Sequence, residues 1–443
     1  MRSLKPRRLS LLAAALMLAL PGLAAAQSLQ ELYDAARAYD ATYLAAKSNA
    51  ASAEYRVAQS EALAKPSLAA TASAVTAQTD PPNIGAKGSN NLSGALNGRY
   101  PLFNRGNDAT IAQARKSLVT AQADLDTAEQ DLIVRVAQAY FDVLAAQDAL
   151  TTTRAANAAT AEQLASAKRN FEVGTATITD TREAQARFDL GTATALAAEN
   201  DLRTKRIALD TLVGRANVEP RPLLVPVDLP ATAPANAEEW VTVADQAHPS
   251  VRRARIGLEV AQLETTKARA AEGPTVDAVA SLSGSDTRGA LPRLSNATGT
   301  TTVASVGVQL NWPLYTGGAT QNRIKETLTL EEKSRQDLEA ARRAVAQGTR
   351  VAYFGVQSGL AQVKALEAAE SSSKLALEAT QLGYKVGVRV NLDVLNSQSQ
   401  LYSTQRDLAK ARYDVLVNGL KLRQASGQLV PTDIDAVNRL LAK

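Results

Sequence analysis

The chain has 443 residues, a net charge of +5, a single histidine and no cysteine. The missing thiols exclude disulfides and thiol chemistry, and one histidine cannot build a histidine-rich metal centre. Aromatic content of 4% with abundant alanine suits helices packed closely along their lengths better than a large aromatic core.

The chain opens MRSLKPRRLS LLAAALMLAL PGLAAAQ. A basic start (Arg2, Lys5, Arg7, Arg8), a short apolar run, Pro21-Gly22 and the small residues Ala24-Ala25-Ala26 read as a signal peptide over 1–26, cut before Gln27. Its removal takes away four positive charges and no negative ones, leaving +1, so the basic excess is no argument for a nucleic-acid partner. Gln rather than Cys follows the cut, so there is no lipid-attachment signal. Beyond it no apolar run reaches the length of a membrane helix. The mature chain, 27–443, is therefore either soluble outside the cytoplasm or meets a membrane as strands.

A first helix is expected over about 29–64, stopping near Pro66. Two strands follow, 67–77 and 92–102, around the polar turn TDPPNIGAKGSNN. In the second strand Leu92, Gly94, Leu96, Gly98, Tyr100 and Leu102 share one face, opposite Ser93, Asn97 and Arg99. The corner GRYPLFNRG then leads into a proline-free stretch from Asp108 to Phe171, a helix of about 95 Å at about 1.5 Å per residue. Ile111, Leu118, Leu125 and Leu132 recur every seven residues, with Ala114, Ala121 and Ala128 between them, which predicts coiled-coil packing. FEVGTATITD breaks this helix with a glycine, and a return helix runs to about 214.

The proline-rich connector 215–237 has little room for long regular structure. After it the order repeats. A helix is expected over 238–272, with His248 read as a residue at a helix start rather than a ligand, then strands 276–285 and 304–314 around the turn SDTRGALPRLSNATGTT. The corner LNWPLYTGG follows, then a second long helix and YKVGVRVNLD. Pro101 matches Pro313 at an offset of 212, while Tyr140-Phe141 matches Tyr353-Phe354 and FEVGTATITD matches YKVGVRVNLD at 213. The chain thus reads as one unit built twice, repeat 1 over about 29–214 and repeat 2 over about 238–426, with a C-terminal segment 427–443.

Ten-residue alternating strands have the length that a membrane barrel uses. Tyr100, Phe103, Trp312 and Tyr315 gather at the strand ends, where amphipathic rings suit a membrane boundary, and Pro101 and Pro313 are expected to end strand pairing. Four strands cannot close a barrel, so several copies are needed; periodicity alone allows two copies or three. The competing reading is a soluble, non-conducting periplasmic or surface coiled-coil spacer capped by hairpins. Carboxylates interleave with Arg and Lys as on solvated helix faces, and no Gly-rich phosphate loop is present, so an enzyme is not expected and no cofactor is implied.

FEVGTATITD and YKVGVRVNLDVLN, the duplicated order and the Pro corners together resemble the TolC family of outer-membrane channels, across essentially the whole mature chain. The resemblance implies a mostly α fold with membrane β: each repeat a long coiled-coil hairpin plus a β-hairpin, and a homotrimer forming a twelve-stranded barrel in outer-membrane lipid with a periplasmic helical tunnel. It implies a passive exit duct for a tripartite efflux pump or type I secretion system. Its partners would be a periplasmic adaptor and an inner-membrane RND or ABC transporter. It also implies a gate: Tyr384 and Arg389 bonded to Asp180 and neighbouring Thr179, and an entrance ringed by acidic groups at Asp393. Asn396 stands where the family pattern has a second aspartate, so one acidic ring is expected instead of two, and Asn396→Asp is expected to deepen block by multivalent cations. Asp180 and Asp393 are equally suited to capping the return helices. Cargo is not legible, because selection lies in the pump.

Overall fold

A computed structural model describes residues 26–80, 87–224, 226–227, 229–289 and 299–442. Residues 1–25 of the expected signal peptide and the centres of both expected strand turns, 81–86 and 290–298, lie outside the described residues. In chain order come α1 (Leu29–Tyr39), α2 (Ala41–Glu61), β1 (Ser67–Thr79), β2 (Lys87–Phe103), α3 (Arg105–Glu172) and α4 (Ile178–Val213). After the connector come α5 (Ala237–Ala247), α6 (Pro249–Ala270), β3 (Thr275–Gly289), β4 (Gly299–Asn311), α7 (Ala319–Lys385), α8 (Asn391–Ala425) and α9 (Asp433–Asn438). The chain makes two compact units. One takes the chain up to Leu44, Ala128–Ala244 and everything from Gly348; the other takes Ala45–Thr127 and Asp245–Gln347. Each unit therefore draws on both repeats.

The first helix of each repeat is broken once, where the sequence suggests a continuous rod. Asp40 interrupts the first: its Oδ1 accepts from the Tyr43 amide at 2.8 Å, while its carboxylate takes two guanidinium bonds from Arg135 at 2.9 and 3.0 Å. An extended residue whose side chain caps the next turn starts a new helix. In repeat 2 the same task falls to His248, whose Nδ1 accepts from the Ser250 amide at 3.1 Å ahead of Pro249. Proline fits that first helical position because its missing N–H is one of the unbonded ones there. The expectation that His248 opens a helix holds.

The first unit is held by a core in which Tyr33, Leu132, Tyr140, Phe141, Leu209, Leu422 and Ile434 are fully buried. Two matched tyrosines tie the connector down. Tyr140 donates to the carbonyls of Gln27 (3.2 Å) and Arg221 (2.9 Å), and Tyr353, 213 residues on, donates to the Ala235 carbonyl at 2.6 Å. The duplicated Tyr-Phe pairs then part company. Phe141 is buried and stacks on Tyr413 at 5.6 Å, whereas Phe354 is 60% exposed.

The second unit carries one antiparallel sheet in the order β1-β2-β3-β4. The register pairs Ser73 with Ser93, Ser93 with Ser285 and Ser281 with Ser305, so one face is lined by hydroxyls, Asn97, Arg99, Asp277 and Gln309. Since side chains alternate, the other face collects Leu68, Leu92, Leu96, Leu282, Val306, Val308 and Leu310. Serine pairs at 2.7 Å (Ser73–Ser93) and 2.8 Å (Ser281–Ser305), with an Arg99–Asp277 ion pair at 2.6 Å, brace the polar face.

Three expectations about the strands need correction. β2 is longer than 92–102, because its first residues continue the ladder back to Lys87. Pro101 does not end pairing: it sits inside β2 opposite Asp277, and the ladder shifts register before Phe103 pairs with Val276. A bulge accommodates the missing N–H. At the second corner β4 stops at Asn311, ahead of Pro313, and does not reach the expected 314.

Candidate functional site: hairpin ends and strand corners

The helical hairpins of the first unit close through a duplicated turn. Gly174 and Gly387, 213 residues apart, adopt φ of +80° and +79°, where a side chain would be strained. Around them the Asn170 carbonyl accepts from the amides of Thr175 (2.8 Å) and Ala176 (3.2 Å). The Gly383 carbonyl accepts in the same way from Val388 (2.9 Å) and Arg389 (3.2 Å). The backbone geometry is the same twice, and the side chains differ.

In repeat 1, Thr177 caps α4 in a full capping box. Its Oγ1 accepts from the Asp180 amide at 3.2 Å, and the Asp180 carboxylate accepts from the Thr177 amide at 3.0 Å and its hydroxyl at 2.8 Å. Thr179 is exposed in the same first turn. In repeat 2, Val390 stands where Thr177 did and makes no side-chain cap. Asp393 is left facing its own strand of chain, 3.5 Å from Arg389 in an exposed pair. Arg389 has its stem over Gly383, where a Cβ would meet the arginine Cγ at 2.8 Å. Within one chain, then, Arg389 sits on Asp393, and the Asp180 carboxylate belongs to its own helix cap.

What joins the two hairpins is a set of neutral or half-neutral contacts. Asn170 donates to the Tyr384 hydroxyl at 3.2 Å. Asn391, only 2% exposed, accepts from Gln163 and donates to the Asp180 backbone carbonyl at 3.4 Å. Arg187 donates to the Asn396 amide oxygen at 3.1 Å. Beside them Leu164, Ala167, Ala184 and Leu395 form a small buried cluster with Phe188 against it. Tyr384, Asn396 and the backbone of Asp180 are thus brought together across the hairpins. Gln163, Asn170, Arg187 and Asn391 are joining residues that the motif comparison did not point to. The repeat offered a clue, because Asn170 aligns with Gly383 and Asn391 with Ile178 at the 213 offset, polar against apolar or absent.

In the second unit the strand corners are exposed. Tyr100, Phe103, Trp312 and Tyr315 are 44%, 46%, 56% and 89% exposed, and Trp312 Nε1 donates to the Glu272 carbonyl at 3.1 Å. On the apolar face Leu68, Val306, Val308 and Leu310 are 76%, 89%, 70% and 62% exposed. Such a continuous apolar face marks an interaction or membrane surface rather than a soluble exterior. No described helix is long and apolar enough to cross a membrane. No group of three or more potential metal-binding side chains occurs among the described residues.

The model of the family described as outer membrane efflux protein matches residues 32–215 and 240–428, one span on each side of the proline-rich connector. The chain belongs to that family. It is 32% identical to the outer membrane protein TolC of Vibrio cholerae over 419 residues, 93% of each chain. It is 33% identical to the alkaline protease secretion protein AprF of Pseudomonas aeruginosa over 310 residues, covering 70% of this chain and 64% of AprF. In fold it is similar to the outer membrane protein VceC of Vibrio cholerae, with a TM-score of 0.76 at 20% identity over 90% of this chain and 96% of that one. Membership makes it an outer-membrane channel protein of efflux or secretion, with its helical part periplasmic, and not an enzyme. The coiled-coil spacer reading falls with it.

Proposed function

We infer that three copies of this chain close a twelve-stranded barrel in outer-membrane lipid and form a passive exit duct. The observation that carries this reading is the sheet. It is apolar and exposed on one face and hydroxyl-lined on the other, and β1 and β4 each have one partner. Backbone groups at an open edge have no water to bond in lipid, so the edges must be closed by β1 and β4 of neighbouring copies. A periplasmic adaptor and an inner-membrane RND or ABC transporter supply cargo and energy, in a tripartite pump or a type I secretion system.

The periplasmic hairpin ends are the gate. Tyr384 and Arg389 latch the second hairpin to the turn at Thr179 and Asp180, and Asp393 gives the entrance its acidic ring, with Asn396 in place of a second. Support comes from the joining contacts, which are few, partly exposed and made without a buried ion pair, as suits a latch that a docking partner undoes. Arg389 is held to Asp393 only at 3.5 Å, leaving its guanidinium able to change carboxylates when the second hairpin moves. Planar-bilayer recording of the purified protein tests the reading. Small, discrete, cation-preferring steps that enlarge with Arg389→Ala are expected; a protein that inserts and never conducts would overturn the duct.

A further inference from the structure

One cleft in the first unit lies beside the contacts that join the hairpins and shares Arg187 with them. It lies where α3, α4 and α8 meet, has a volume of about 280 Å³ and shares Leu395 with the small cluster beside the hairpin ends. None of its lining residues is acidic, yet two arginines line it, Arg187 from α4 and Arg406 from α8. Their charges are poorly matched. Arg187 bonds only to the neutral Asn396 amide at 3.1 Å. Arg406 reaches the Ser403 hydroxyl at 3.3 Å and an exposed Asp407 at 3.5 Å. Thr153 and Tyr402 are among the hydroxyl-bearing side chains between them.

Two amide oxygens in this lining have no partner. Gln398 is 7% exposed and its Oε1 is unbonded, which is costly for a buried acceptor. Asn157 is fixed by its Nδ2, which donates to Thr192 at 3.2 Å, and its buried Oδ1 is likewise unbonded. In this orientation the Asn157 amide lies against Gly191 of α4, where a Cβ would meet its Oδ1. Guanidiniums ask for an anion; unbonded amide oxygens ask for O–H or N–H donors. An inorganic anion meets the first demand and water meets the second, whereas a hydroxyl-bearing organic anion meets both.

We propose that this cleft binds a small hydroxylated anion of the hydroxycarboxylate class. The carboxylates take Arg187 and Arg406, and the single hydroxyl donates to the Gln398 amide oxygen. Because α3 and α4 belong to the first hairpin and α8 to the second, the bound anion ties the hairpins together. On the duct reading above, and only there, it would hold the gate shut.

Isothermal titration of the full-length protein in detergent with citrate tests the site without reference to conduction. One citrate per chain is expected, with affinity falling about tenfold in Arg187→Gln and in Arg406→Gln, the loss of one charge-assisted bond. Tricarballylate, the same three carboxylates without the hydroxyl, should bind about fivefold more weakly, the loss of one neutral bond. Gln398→Leu removes an unbonded buried acceptor, so it should melt no lower than the natural protein while abolishing the preference for citrate. No citrate binding at millimolar concentration, or an affinity in both arginine variants equal to that of the natural protein, would overturn the site. A protein that conducts without binding citrate keeps the duct and loses the cleft; one that binds without conducting keeps the cleft and loses the duct.

Discussion

His248 is the only histidine in the chain, and its place at a helix start makes it a pH-sensitive cap. Burial, with Arg253 nearby, pushes its imidazole below the usual histidine range, and its Nδ1 must be unprotonated to accept from Ser250. A folded-state pKa depressed below the unfolded value means that the unfolded chain binds the proton more readily. Stability from this cap is therefore complete above about pH 6.5 and is lost as pH falls from there through the folded-state value. Asn caps as well and does not titrate, so thermal melts between pH 7 and pH 5 should show a fall in the natural protein and a flatter profile in His248→Asn. Equal slopes would remove His248 from the account. Gly214 gives a second residue-scale expectation. It ends α4 at φ +68°, and a Cβ there would meet the Tyr39 ring at 2.5 Å. Gly214→Ala should destabilise the first unit by about 2 kcal/mol or more, read by denaturant midpoint, because left-handed strain and a ring clash add.

At the scale of elements, the two hairpins share one turn geometry and divide its duties. Thr177 lets repeat 1 spend its aspartate on a cap; Val390 frees the matching aspartate of repeat 2 to face Arg389. The contacts at the hairpin ends rank by burial. Asn391→Ala removes a buried amide and leaves its half-buried partners unbonded, and should lower stability by about 1–3 kcal/mol, whereas the exposed Arg389–Asp393 pair is worth about 0–1. If the melting point of Arg389→Ala falls further than that of Asn391→Ala, the ranking is wrong. Arg187 also changes what Asn396→Asp should do. The new carboxylate would find a guanidinium 3.1 Å from where the amide oxygen sits, and that pairing competes with a cation. Block of conductance by a trivalent cation should deepen fully only in the double variant Asn396→Asp with Arg187→Gln. A single substitution that gives the whole effect would show that Arg187 does not reach the ring.

For the whole molecule, the decisive feature is a sheet that cannot be left alone. Its apolar face is exposed along every strand, and among the described residues its outer strands have no second partner. The protein should therefore need detergent and migrate as a homotrimer after mild extraction. A charged residue at Val308, on the apolar face and 70% exposed in one chain, should reduce barrel assembly by about 2–4 kcal/mol if that residue lies at mid-bilayer depth. Heat-modifiable mobility on a gel reads this directly: full trimer retention in Val308→Arg would count against lipid at that face.

The sequence alone determined the duplication, the strand faces, the long helices and the glycine turns at their ends. Each is set by local periodicity or by a backbone position that tolerates one residue type, as at Gly174 and Gly387. It also carried the family, through motifs whose spacing survives in both copies. Only the tertiary structure decided how the two strand pairs join, because β2 and β3 are far apart in sequence and nothing local encodes their register. It alone showed that Pro101 is absorbed by a register shift, since a ladder's tolerance for a missing N–H depends on the strand opposite. It alone placed Arg389 on Asp393, Arg187 on Asn396 and Asn391 between the hairpins, because polar side chains choose partners by reach and burial, which one strand of sequence does not contain.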